Sequence, residues 1–275
     1  NLFRKDKYTP LVEAVTRLSM VPINGTEKGR ACVSLCASVI YGCEVFRHPP
    51  AQHPNLLRTR ITSAVLGEPA KRLRAAPELC STLLLHGHLA DPSLAVPYRR
   101  LLTLRKQLLD PIIRVEFAAA WALLPAPPAI PMQCGPTVIL RDTLKDLGWT
   151  LTPDPWTLRK EGGNGGGLTI QLLGDAATVE HDLREALRDH VLALCAARRA
   201  DNLGDLSQGL NYAATASLLR SSCLPPLPMG FLRRLLCTGV LTQEWSHRND
   251  KHVLPVYASP LCPHCTMGVN EAEEH

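Results

Sequence analysis

Aromatic residues are scarce in this chain, 5% of the total, and so are long apolar runs. The longest unbroken run, Phe117 to Leu124, falls far short of the ~20 residues a membrane-spanning helix needs, and no signal peptide is visible. No two aspartates are adjacent anywhere. A two-metal polymerase or nuclease site needs clustered carboxylates to neutralise two cations some ~4 Å apart, so that chemistry is excluded. His-Glu-x-x-His and Gly-x-Ser-x-Gly are both missing, which removes the zinc-protease and serine-hydrolase signatures. Glu244-x-x-His247 has di-iron spacing but occurs once, where such sites need two copies. His86-Gly87-His88 reads as a loop with exposed histidines. The glycine run from Gly162 to Gly167 lacks the Lys-Ser/Thr pair of a phosphate loop and reads as a hairpin tip. The chain is expected to perform no chemistry itself.

What is present is leucine and alanine, with 45% hydrophobic and 20% charged residues. That composition is globular and favours packed helices over a sandwich or barrel. The expected fold is mainly α: helical bundle segments, one small β-hairpin or meander near 149–172, and a zinc-knuckle-like tail at the C-terminus. The ten cysteines are irregularly spaced and fall mostly inside apolar helical patterns. Cys32, Cys36, Cys195 and Cys237 read as small buried hydrophobes, and reduced thiols place the chain inside the cell, in cytoplasm or nucleus. The chain opens on Asn1 rather than Met, which reads as an excerpt of something longer.

Helical periodicity is clear at Leu11, Val12, Val15 and Leu18, and again over Lys28 to Phe46. The Pro49, Pro50 and Pro54 cluster should stop that second helix. Leu56 to Val65 predicts a third, closed by Gly67, and a short one should run through Leu79, Leu83 and Leu84. After Asp91-Pro92 a longer helix turns Leu94, Leu101, Leu104 and Leu108 inward, with Arg99, Arg100, Arg105 and Lys106 mostly opposite. Pro111 opens another helix to Leu124. Prolines 125, 127, 128 and 131 make a stiff connector, so the expected units are 1–124, a linker over 125–136, then 137–224 and 225–275. Beyond the linker come a helix ending at Gly148, short strands at 149–152, 156–159 and 168–172, and a long helix capped by Asp175 or Thr178. A further helix is expected near Tyr212 to Leu219 and a last one from Phe231.

Two features point to a partner. Between Leu56 and Arg114 ten Lys and Arg stand against four acidic residues, an excess that suits an anion, nucleic acid first. At the other end, Cys262-Pro263-His264-Cys265 is followed by His275 with nine residues between. C-x-x-C lets one tight turn aim two thiolates at a zinc ion, and the histidine supplies a third ligand. The fourth lies beyond His275 or comes from Cys237, His247, His252 or His264.

The Cys262, Cys265, His275 pattern, with its acidic stretch, resembles the zinc knuckle near the C-terminus of non-LTR (LINE-type) retrotransposon reverse transcriptases. Phe231 to Leu236 and His247 to Asp250 resemble the lead-in to that knuckle, and Val39-Ile40-Tyr41-Gly42-Cys43-Glu44 resembles the stretch after the palm. The Gly135-Pro136 helix to Trp149 is similar to the connector between thumb and knuckle. The resemblance implies a thumb-like 1–124 region, a zinc ion at the tail, and a parent polyprotein that copies RNA into DNA. The family's catalytic aspartate pair is absent here, so polymerase activity is not carried over. The segment is then expected to bind RNA or an RNA/DNA hybrid, alongside the rest of the polyprotein and without membrane contact. Phosphate contacts would come from Lys71, Arg72, Arg74, Arg99, Arg100, Arg105 and Lys106, with Arg233, Arg234, Arg248 and Lys251 beside the knuckle. The alternative is a helical protein-interaction scaffold whose basic residues are plain surface.

Overall fold

Local chemistry sets the first turn of the chain. Helix α1 (Leu2–Met20) ends before a bend at Val21–Ile23, and Asn24 caps the start of α2 (Gly25–Ile40), its side chain accepting from the Glu27 amide at 2.9 Å. The Glu27 carboxylate reaches back to the Asn24 amide at 3.3 Å, completing a reciprocal cap. Helix α2 ends at Ile40, earlier than the expected Phe46, and Gly42 takes φ 76° just beyond it. Helix α3 (Gln52–Leu66) holds Pro54 in its first turn, where a missing N–H costs nothing, so Pro54 starts this helix rather than stopping the previous one. The computed structural model describes residues 2–42, 52–67, 75–85, 91–124, 135–153, 155–160, 167–198, 215 and 232–237. Residues 125–134 of the expected 125–136 linker, the 212–219 helix (except residue 215) and the zinc-knuckle tail lie outside these residues.

The fold is mainly α-helical with one small three-stranded antiparallel sheet. Helix α4 (Pro77–Leu79) widens at once into a π turn over Cys80–Leu84. The Ser81 and Thr82 hydroxyls both donate to the Glu78 carbonyl, at 3.0 and 2.8 Å, competing for the acceptor a regular helix would use. Helix α5 (Pro92–Leu108) starts at Asp91, whose carboxylate accepts from the Ser93 amide, and α6 (Pro111–Ala122) starts at Asp110 in the same way. Helix α7 (Pro136–Leu147) stops at Gly148, which takes φ 67°. Strands β1 (Trp149–Pro153), β2 (Trp156–Lys160) and β3 (Leu168–Gln171) pair in that order. Leu151, Leu158 and Ile170 lie in one row across them and are buried, while Thr150, Arg159 and Thr169 form the neighbouring row and are exposed. The sheet thus has one face to bury and one to wet.

Two cores result. The first gathers α1, α2, α3 and the π turn around Val15, Cys36, Leu57 and Cys80. The second packs α5, α7, the sheet and α8 (Ala176–Arg198) around Leu101, Leu158, Leu172 and Leu183. Helix α5 precedes the proline-rich stretch yet belongs to the second core. Leu192 and Cys195, at the far end of α8, belong to the first, as does Cys237 after the short 232–236 helix.

A candidate nucleic-acid interface

Two of the described cations of the 56–114 region, Arg58 and Arg100, are buried. Arg58, 8% exposed, lies 2.8 Å from Asp91 and 3.2 Å from Glu78, contacts that are ion pairs rather than aligned hydrogen bonds. Arg198 reaches Glu78 from the end of α8, and Ser81 donates to Asp91 at 3.0 Å. Burial works against the Glu78 charge, but Arg58, a backbone amide and Arg198 together outweigh it and hold the carboxyl below its usual range.

Arg100 is also buried, donating from Nη1 to the Thr143 hydroxyl at 2.7 Å. Its expected role at phosphate is therefore corrected: a guanidinium sealed between α5 and α7 is not available to a polyanion. Arg105 is half-buried and donates to the Gly174 carbonyl at 3.0 Å, so it too acts first as a brace between α5 and the start of α8. Arg99 and Lys106 are exposed, seven residues apart along α5. Lys71, Arg72, Arg74, Arg248, Lys251, Cys262, Cys265 and His275 lie outside the described residues. Cys237, one candidate for a fourth zinc ligand, is fully buried with its thiol hydrogen-bonded to Cys80. Among the described residues no group of His, Cys, Asp and Glu is arranged to hold a metal ion, and no helix is long and apolar enough to cross a membrane.

Cations from distant parts of the chain do meet at one place. A cleft of about 600 Å³ opens where α2 begins, α3 ends and the 232–236 helix docks. Three cations, Lys28, Arg30 and Arg233, line it against one carboxylate, Glu27, which is occupied in the helix cap. Arg233 donates to the Thr26 hydroxyl at 2.8 Å, and Arg234 reaches the Leu66 carbonyl at 3.4 Å. Lys28 is 8% exposed and its Nζ donates to the Ser19 carbonyl at 2.7 Å, capping the end of α1. Arg30 is exposed and, among the described residues, has no ion-pair partner. No family model, curated protein or solved structure matches this chain.

The cleft exists because Gly25 lets α2 approach α3. A Cβ there would sit 2.2 Å from the Val65 carbonyl oxygen, a backbone atom that cannot swing aside. Gly25→Ala is expected to push the helices apart and cost about 1–3 kcal/mol, read as a lower urea midpoint. The start of α2 also carries the positive end of its helix dipole, which suits an anion. Sequence reasoning found Arg233 and Arg234 but missed Lys28 and Arg30. An Asn24-x-x-Glu27 cap is a local signal that would have started α2 at Gly25 rather than Lys28, whereas the Arg233–Thr26 contact spans 207 residues and left no local trace.

Proposed function

We propose that this chain is a non-catalytic, nucleic-acid-binding segment of a reverse transcriptase polyprotein of the non-LTR type. It grips RNA or an RNA/DNA hybrid by the phosphate backbone. The observation that carries the reading is the convergence of Arg30 and Arg233 at the start of α2, with Arg99 and Lys106 exposed on α5 as a second row. Contacts of this kind position a strand without reading its bases. A zinc ion on Cys262, Cys265 and His275 belongs to the same proposal, through the resemblance of that tail to the family's knuckle.

Single-stranded RNA binding by the full chain, measured against salt concentration, tests it. Each phosphate contact contributes about 0.7 to the slope of log affinity against log salt for a single strand. Arg30→Glu with Arg233→Glu should lower affinity at least ten-fold at low salt and flatten that slope by one to two. Affinity that ignores salt, or a double variant that binds like the parent, would count decisively against the reading. The scaffold alternative has one observation in its favour. On α6, Ile112 is 72% exposed, Val115 70% and, just past its end, Leu123 82%, a stripe at helical spacing that a protein partner would cover.

A further inference from the structure

Five of the ten cysteines lie among the described residues, and all five are buried in the first core without a disulfide. Two of them meet. Cys80 opens the π turn, Cys237 follows the 232–236 helix, neither exposes any surface, and their thiols share a hydrogen bond. The backbone brings them together: the Ala76 amide donates to the Cys237 carbonyl at 2.7 Å, and the Cys80 amide donates to the Ala76 carbonyl at 3.1 Å. The Cys237 amide in turn bonds the carbonyls of Arg233 and Arg234, the two arginines that reach the cleft. Whatever fixes Cys237 fixes them.

We propose that Cys80 and Cys237 form an oxidation-sealed latch: a low-molecular-weight disulfide converts the thiol pair to an intrachain disulfide, holding the 232–236 helix and Arg233 on the cleft. The consequence for RNA rests on the reading of the cleft given above, while the thiol chemistry does not. In the docked state the pair is quiet. The hydrogen bond to Cys80, and then burial, hold the Cys237 thiol well above its ordinary range, so little thiolate is available. Lifting the 232–236 helix off the first core brings the Cys237 sulfur to solvent beside Cys80. The Cys237 thiolate then attacks the small disulfide, forming a mixed disulfide and releasing one thiolate. The Cys80 thiolate attacks the Cys237 sulfur, the mixed disulfide breaks, and the second small thiolate leaves. Two protein thiols are oxidised, one small disulfide is reduced to two thiols, and these take up the two protons. Cys32 is the internal competitor, since its thiol also neighbours Cys80.

The full chain is treated with oxidised glutathione, alkylated, digested without reduction and mapped by mass spectrometry. RNA binding of the oxidised and reduced forms is followed in rising urea. The expected product is a Cys80–Cys237 linked peptide, two hydrogens lighter than its parts and lost on adding dithiothreitol. The oxidised form should keep RNA binding at urea concentrations that abolish it in the reduced form. A stable glutathione adduct on Cys237, a Cys80–Cys32 bridge, or a Cys80–Cys237 bridge without that protection overturns the latch. A bridge that forms in a chain binding no RNA in either state supports the thiol chemistry and refutes the reading of the cleft.

Discussion

Arg58→Met is expected to destabilise the chain by about 3–5 kcal/mol at neutral pH, because it strips a buried cation from two buried carboxylates. Asp91 would keep Ser81 and the Ser93 amide, and Glu78 a backbone amide and Arg198, which is 58% exposed and screened by solvent. The pH dependence should also weaken. In the parent, the Glu78 carboxyl is held below its ordinary value near 4.5. Its contribution is therefore present above that value and lost as pH falls through the depressed one. With Arg58 gone, the largest of the influences that lower Glu78 is lost, so its depression shrinks while a backbone amide and Arg198 still act on it. Stability then rises less steeply with pH above about 4 than in the parent. Asp146 and Asp189 are raised by burial, helped by Asp142 and Glu185 respectively, but they are common to both proteins and cancel in the difference. Urea unfolding at several pH values reads the result. A variant within 1 kcal/mol of the parent, or one with the same slope against pH, would show that the cluster is not held as described. Adding Glu78→Gln should recover part of the loss, since it removes the stranded charge.

That cluster also marks where sequence reasoning stops. The apolar spacing of α5 placed Leu94, Leu101, Leu104 and Leu108 inside, and all four are buried. Gly148 closed α7 as expected, and the three short strands pair as a meander, with β2 and β3 antiparallel across the glycine run. These features depend on residues a few positions apart. The disposition of charge does not. Arg100 stands four residues from both Val96 and Leu104, so it shares their buried stripe, and attention to that spacing would have moved it inside. Arg58 had no such clue, because what makes its burial tolerable is supplied by Glu78 and Asp91, each outside its own helix. The burial that joins α5 to α7 and α8 is likewise set by residues far apart in the chain.

Leu183→Ala tests whether those two cores hold together as one. Leu183 exposes no surface, so truncation should cost about 2–5 kcal/mol through lost transfer energy and the cavity left behind. Leu194→Ala, on the same helix but 48% exposed, should stay within about 0.5 kcal/mol of the parent and serves as the control. The more informative outcome concerns cooperativity. Trp121, Trp149 and Trp156 all belong to or pack on the second core, so tryptophan fluorescence follows that half more closely, while far-ultraviolet dichroism follows every helix. Helix α8 contributes Val179, Leu183 and Leu187 to the second core, then Leu192, Cys195 and the Arg198–Glu78 pair to the first. A helix committed to both sides cannot leave one and remain intact in the other without exposing apolar surface at its far end. The two signals should therefore move together in urea, and both midpoints should fall by the same amount in Leu183→Ala. If fluorescence falls early while dichroism persists, the cores are separable and α8 bends or frays between Leu187 and Leu192 under load. The basic cleft, built wholly on the first core and the 232–236 helix, would then survive loss of the second.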